Sequence, residues 1–201
     1  MNIFLTSQAS NVLEKVVSLL PNVRKVAFIP TAAKPYPDAP WMRIDRDRLV
    51  SLGLEVADLD LDTASREETK NAVESADAIF VGGGNTFYLL EKVKKTGFGE
   101  VVKNAIAKGK TYIGSSAGSI IAGPDIESVE SLDDRSKANL ENTIGMGLVN
   151  FAVLPHFDSP KYKERNEKIL EKYKNWSYKT VPLNDNQFVV PKGDTWQILT
   201  V

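Results

Sequence analysis

Gly114-Ser115-Ser116-Ala117-Gly118 is a G-x-S-x-G pattern set between an apolar run, Tyr112-Ile113, and a helix-capable one, Ser119-Ile120-Ile121-Ala122. At a sharp strand-to-helix turn, glycines on either side let neighbouring backbone pass without a Cβ, so that Ser116 can present its hydroxyl. The N–H groups that follow, at a helix N-terminus, can face a developing oxyanion. The same residues serve equally as a Gly/Ser turn in which Ser115 or Ser116 caps the helix. A hydroxyl nucleophile needs a base, and histidine is the usual one. The chain holds a single histidine, His156, which follows the apolar run Phe151 to Leu154 directly after Pro155. Proline fixes the backbone just before it. A serine–lysine pair would need a buried lysine, and Lys108 and Lys110 read as solvated. Ser116 as nucleophile and His156 as base therefore stand or fall together.

The third member of such a triad orients the imidazole and stabilises its charged form. Asp158, Asp185, Asp194, Asp133, Asp134, Glu130 and Glu127 are the candidates. Asp158 is two residues from His156, too close in an extended segment to fold back onto the far ring nitrogen. Asp185, just beyond the apolar run Val181 to Leu183, is mildly favoured. A second glycine turn, Gly82-Gly83-Gly84-Asn85, ends the run Ala78 to Val81. Three glycines permit positive φ and close approach of a ligand to main-chain N–H groups. The spacing matches neither a dinucleotide nor a P-loop fingerprint, and a plain flexible turn is the bland alternative. Ligand sites in open α/β sheets lie at the carboxyl ends of strands, so two glycine turns after successive strands make one candidate site.

The elements that must position these groups alternate. Strands are expected at Asn2 to Leu5, Lys25 to Ile29, Leu54 to Leu59, Ala78 to Val81, Thr111 to Ile113 and Val149 to Leu154. Helices are expected at Asn11 to Leu20, with Val12, Val16, Leu19 and Leu20 on one face, and at Asp45 to Leu52, Ser65 to Val73, Thr86 to Lys95, Gly99 to Lys108 and Tyr162 to Tyr173. Pro30, Pro35, Pro37 and Pro40 mark a loop. Asp125 to Arg135 reads as an acidic, Ser-rich loop, and Val181 to Leu183, Gln187 to Val190 and Trp196 to Val201 as strands antiparallel at an edge. The alternation argues an α/β fold: three layers, a mostly parallel central sheet flanked by helices, and antiparallel edge strands near the C-terminus. The expectation is one domain over residues 1–201, a length that buries roughly 70% of the surface exposed on unfolding.

Lys plus Arg number 25 against 26 Asp plus Glu, for a net charge of −1. Such a balance supplies no bulk electrostatic reason to bind nucleic acid or anionic lipid. Met1 to Leu5 lack the basic flank and cleavage site of a leader, and no apolar run nears the ~20 residues of a membrane span. The expectation is a cytoplasmic protein with no nucleic-acid or membrane partner.

Phe80-Val81-Gly82-Gly83-Gly84-Asn85-Thr86-Phe87, Gly114-Ser115-Ser116-Ala117-Gly118 and Pro155-His156-Phe157 resemble, in this order, the motifs of the peptidase E family of serine peptidases, the aspartyl dipeptidases. The resemblance spans most of the chain. It implies a fold like the class I glutamine amidotransferases with serine in place of cysteine, and no metal or other cofactor. It implies Ser116 as nucleophile, His156 as base and Asp185 as the acid, where aspartyl dipeptidases carry a glutamate. The oxyanion donors it implies are the backbone N–H of Ala117 and of Gly83 or Gly84. Arg165 matches an arginine that reads the aspartate carboxylate of Asp-X dipeptides, and Asn85 joins it as a substrate-binding candidate. Two departures are a shorter stretch from His156 to Arg165 and a different acidic loop, Asp125 to Asp134. The implied function is a serine exopeptidase for small acidic peptides. The alternatives are the same triad with another substrate, as in a cyanophycinase-like peptidase or an amidase, and a non-catalytic module binding small anions.

Overall fold

The computed structural model describes residues 2–201. Five parallel strands make up most of one sheet: β1 (Ile3–Thr6), β2 (Lys25–Ile29), β3 (Glu55–Asp58), β4 (Ala78–Val81) and β5 (Thr111–Ser115). Their order is β3-β2-β4-β5-β1, continued by β8 (Gln187–Lys192) and β9 (Thr195–Thr200) as antiparallel edge strands. β1, β4 and β5 are buried along their whole length, as parallel strands covered on both faces must be.

Two apolar layers flank the sheet. On one face α1 (Ala9–Ser18) and α2 (Pro40–Ser51) bury Val12, Leu13, Val16, Met42 and Leu49 against Phe28 and Phe80, whose rings stack at 5.1 Å. On the other, α3 (Arg66–Ser75), α4 (Thr86–Thr96), α5 (Phe98–Ala107) and the short α6 (Ala117–Ile120) bury Val73, Leu89, Val93, Phe98 and Val102. Ser65 begins α3 with a complete capping box, and Gly97 ends α4 at φ 72°.

Three local expectations change. α1 ends at Ser18, so Leu19 lies at its cap, 45% exposed, instead of on the buried face. α2 starts at Pro40, not Asp45: proline lacks an N–H that the first helical position would leave unbonded anyway. Val181 to Leu183 does not join an antiparallel edge. Its strand, β7 (Lys179–Pro182), pairs parallel with β6 (Phe151–Leu154) in a separate two-stranded sheet. The register Val153↔Val181 sets two buried β-branched side chains together, which an edge position would leave half in water. Parallel pairing brings the carboxyl ends of both strands to the same side, so the chain leaving β6 through His156 runs beside the chain leaving β7 toward Asp185.

Candidate active site

β5 ends in the middle of the sheet, and Ser116 turns the chain into α6 with φ 49° and ψ −108°. An L-residue rarely adopts such a backbone, and holding it there costs of order 1–3 kcal/mol. The surroundings hold it: the Ser116 N–H bonds the Thr6 carbonyl at 3.1 Å, and the Ser119 hydroxyl bonds the same carbonyl at 2.8 Å. The flanking glycines are steric necessities. A Cβ at Gly118 would lie 2.0 Å from the Val81 carbonyl oxygen, and one at Gly114 would lie 2.7 Å from the Gly118 backbone. Gly118→Ala is expected to destabilise the protein by about 3 kcal/mol or more, since backbone on both sides must move. An unchanged denaturant midpoint for that variant would contradict the steric account.

His156 follows β6, also at positive φ, 59°. Its Nε2 lies 3.0 Å from Ser116 Oγ and its Nδ1 lies 2.6 Å from Asp185 Oδ1. Three residues from three separate segments thus form one hydrogen-bonded row. Burial pushes the Asp185 carboxyl up, but hydrogen bonds from His156 and Ser7 and the imidazole charge outweigh it and hold it below the ordinary carboxylate range. Ser7, which sequence reasoning did not single out, ties the row together. Its hydroxyl accepts the His156 backbone N–H at 2.7 Å and donates to Asp185 Oδ1 at 2.7 Å. From α7 (Lys163–Lys172), buried Asn166 donates to the carbonyls of Pro155 and His156 at 3.1 and 3.2 Å, and Tyr162 stacks on the imidazole at 5.3 Å. Serine beyond a strand, or asparagine within a helix, carries no local pattern that marks such roles.

The other acids are placed elsewhere. Asp158 and Asp194 are exposed. Asp133 accepts from the Thr86 N–H at 2.9 Å and hydroxyl at 2.5 Å, and Asp134 accepts from Ser136. Glu130 pairs with Arg135, and the Glu127 carbonyl accepts from Tyr173. Burial raises the Asp133 carboxyl above its ordinary value, against the Thr86 hydrogen bonds and the His156 charge.

Gly83 lies against the nucleophile: a Cβ there would be 3.2 Å from Ser116 Cβ. The neighbouring Gly82 and Asn85 N–H groups bond the carbonyls of Ile29 and Ala32. Those of Gly83, Gly84 and Ala117 make no hydrogen bond among the described residues. Gly84, at φ 146°, packs its α-carbon on the Ala32 carbonyl, where a Cβ would come within 2.1 Å. The Trp41 indole N–H donates to the Gly83 carbonyl at 3.2 Å and meets the Tyr36 ring edge-on at 5.6 Å, so two fixed aromatic rings border this turn.

Neither substrate-binding candidate is hydrogen-bonded to the row among the described residues. Asn85 is buried and caps α4, accepting from the Tyr88 N–H and donating to the Asp134 carbonyl, so both ends of its amide are in use. Arg165 is exposed on α7 beside Asn166 and makes no ion pair or hydrogen bond among the described residues. Among the described residues no group of three or more acidic or histidine side chains is arranged to hold a metal ion, and no helix is long and apolar enough to cross a membrane.

The family model described as Peptidase family S51 matches residues 3–199 of this chain. An uncharacterized peptidase of Listeria monocytogenes serovar 1/2a is 36% identical over 195 residues, covering 96% of this chain and 95% of that protein. Peptidase E of Streptomyces coelicolor is 28% identical over 188 residues, covering 90% of this chain and 74% of that one. The crystal structure of a proposed peptidase E protein from Listeria monocytogenes EGD-e superposes with a TM-score of 0.92 at 34% identity, covering 100% of this chain and 98% of the other.

Proposed function

We propose, from the premise that this chain belongs to peptidase family S51 and is a serine peptidase, that Ser116, His156 and Asp185 are its catalytic triad. The observation that carries the reading is the unbroken row from Ser116 Oγ through the imidazole to Asp185 Oδ1, at 3.0 and 2.6 Å. In this reading Ser116 Oγ attacks the carbonyl carbon of the substrate while His156 Nε2 takes its proton. Asp185 keeps the Nδ1–H tautomer in place and stabilises the imidazolium. The negative charge gathering on the carbonyl oxygen meets the unbonded N–H groups of Ala117 and Gly83, with Gly84 next to them. His156 returns the proton to the leaving amine, and a water molecule activated by the same nitrogen releases the acyl group. A fluorophosphonate that labels the wild-type protein at Ser116 tests the nucleophile, and absence of labelling would favour a binding module.

The finer reading is an exopeptidase for Asp-X dipeptides in which Arg165 reads the side-chain carboxylate. A guanidinium pairs with a carboxylate through two parallel hydrogen bonds, which is what such recognition requires. Asp-Leu is then expected to be cleaved roughly 30-fold to several-thousand-fold faster than Asn-Leu, the equivalent of losing a charged pair worth ~2–5 kcal/mol. Arg165→Met should erase that preference while Ser116 still takes the fluorophosphonate label. The exposure of Arg165 favours one alternative, the same triad acting on another small peptide or amide. Equal rates on Asp-Leu and Asn-Leu in the wild-type protein would decide for it.

A further inference from the structure

β1 lies between β5, which leads to Ser116, and β8, which leads away from the turn that carries Asp185. Its carboxyl end therefore reaches both segments at once. Thr6, the last residue of the strand, takes the Ser116 N–H on its carbonyl at 3.1 Å, and its hydroxyl donates to the Gly114 carbonyl at 2.9 Å. Ser7 gives its own N–H to the Gln187 carbonyl at 3.3 Å. Its hydroxyl meets the other two members of the row, the His156 N–H and Asp185 Oδ1, each at 2.7 Å. All three catalytic candidates thus hang on Thr6 and Ser7.

Ser7 is 0% exposed, so no substrate touches it, and it can serve the reaction only through the groups it bonds. A backbone N–H only donates, so the Ser7 oxygen accepts from His156. An ionised carboxylate only accepts, so the one hydroxyl hydrogen goes to Asp185. Neither bond can reverse. The imidazole is thereby held from two directions, by the backbone that carries it and by the carboxylate that meets its Nδ1. At φ 59° the His156 backbone is strained, and it is kept there by Ser7 on its N–H and by Asn166 on its carbonyl. We propose that Ser7 is a positioning residue for the reaction, its hydroxyl locking Asp185 against Nδ1 so that Nε2 stays aimed at Ser116. This role rests on the reading of Ser116, His156 and Asp185 as the triad.

The test compares the full-length wild type with Ser7→Ala, Ser7→Cys, Asp185→Asn and the variant carrying both Ser7→Ala and Asp185→Asn. Alanine removes both bonds, whereas cysteine keeps a side chain of similar shape with a weak S–H donor. Fluorophosphonate labelling of Ser116 gives a rate independent of peptide choice, and urea unfolding gives the folded fraction. Ser7→Ala is expected to label about 10- to 100-fold more slowly while still folded, as fits the loss of a hydrogen bond to a charged group. On any peptide the protein cleaves, kcat should fall while KM stays. Ser7→Cys should recover part of the rate. In the Asp185→Asn background Ser7→Ala should cost much less, because the carboxylate it positions is gone.

The single histidine makes the ring itself readable. With isotope-labelled histidine the wild type should show one Nδ1–H proton signal, moved downfield by the carboxylate. That signal should broaden or vanish in Ser7→Ala as water reaches the loosened bond. A serine kept for stability alone would lower the urea midpoint on removal but leave the labelling rate of the folded protein and the Nδ1–H signal as in the wild type. That result, or losses that add fully in the double variant, would overturn the role of Ser7. Should Ser7→Ala not fold, a folded Ser7→Cys that labels at the wild-type rate would overturn it equally, since a thiol is too weak a donor to replace the hydroxyl. A wild type that takes no label would remove the reading of Ser116, and the role of Ser7 with it. A wild type that labels no faster than Ser7→Ala would remove the role of Ser7 alone.

Discussion

Ser116→Ala is expected to lower kcat by ~10⁴- to 10⁶-fold and to abolish fluorophosphonate labelling. Alanine keeps the turn and the N–H groups of Gly83 and Ala117 but has no oxygen to attack or to acylate. Only the rate that oriented binding and the oxyanion donors supply should remain. Ser116→Gly makes the prediction sharper. At φ 49° and ψ −108° the Ser116 Cβ is a source of strain, so glycine relieves a cost of order 1–3 kcal/mol. It adds roughly 0.5–1 kcal/mol of unfolded-chain entropy in return. The glycine variant should therefore be equally inactive and unfold at a higher denaturant concentration than the wild type, by about 1 kcal/mol. A strained backbone kept at a functional point is the pattern that such a gain would reveal. Residual turnover near the wild-type rate in the alanine variant would show that another group attacks the substrate.

Asp185→Asn should cost ~10³- to 10⁴-fold in kcat with little change in KM, and should leave the fold intact. The local bonding explains the size. Asp185 Oδ1 now receives both the Ser7 hydroxyl and the Nδ1–H of His156, at 2.7 and 2.6 Å. An asparagine can offer its carbonyl to Ser7, but then its amide N–H faces Nδ1. The imidazole must shift its proton to Nε2, the nitrogen 3.0 Å from Ser116 Oγ, and can no longer take the serine proton. The charge that stabilises the imidazolium disappears as well. Asp158→Asn should be near wild type, since that side chain is exposed. In the wild type the Asp185 carboxyl is held below its ordinary range, so its support is complete at pH values above that range. It is lost only as the pH falls through the depressed value, and with it the stability that the ionised pair contributes. An inactive Asp158→Asn beside an active Asp185→Asn would reverse the assignment.

The strand-and-helix alternation made most of the central sheet legible, because buried parallel strands read as short continuous apolar runs. Ala78 to Val81 and Lys25 to Ile29 are found with the expected bounds. The proline-dense loop misled at its end, where Pro40 opens a helix. A proline tells where a helix cannot continue better than where one begins. The C-terminal strands were legible as strands but not in their pairing. Val181 to Leu183 has the same apolar character as an edge strand, and only its register with β6 separates the two outcomes.

By itself the sequence determined which residue types were available for the chemistry. One histidine, no cysteine and a serine between two glycines at a strand end leave few ways to build a nucleophile. These features are local: a glycine's missing Cβ and a residue's place at the end of a strand are properties of a few neighbouring positions. The tertiary structure alone decided which acid meets the imidazole, and what fastens the row. Asp185 reaches His156 because β6 and β7 lie parallel, and Ser7 touches a carboxylate 178 positions away. Such contacts depend on how whole layers close over one another, and a single hydroxyl or carboxylate leaves no periodic trace of the partner it will find. The polar atoms that organise the row are each satisfied only when segments distant in sequence arrive together. That requirement is enforced by the free-energy cost of burying them unpaired, and it becomes visible only once the chain is folded.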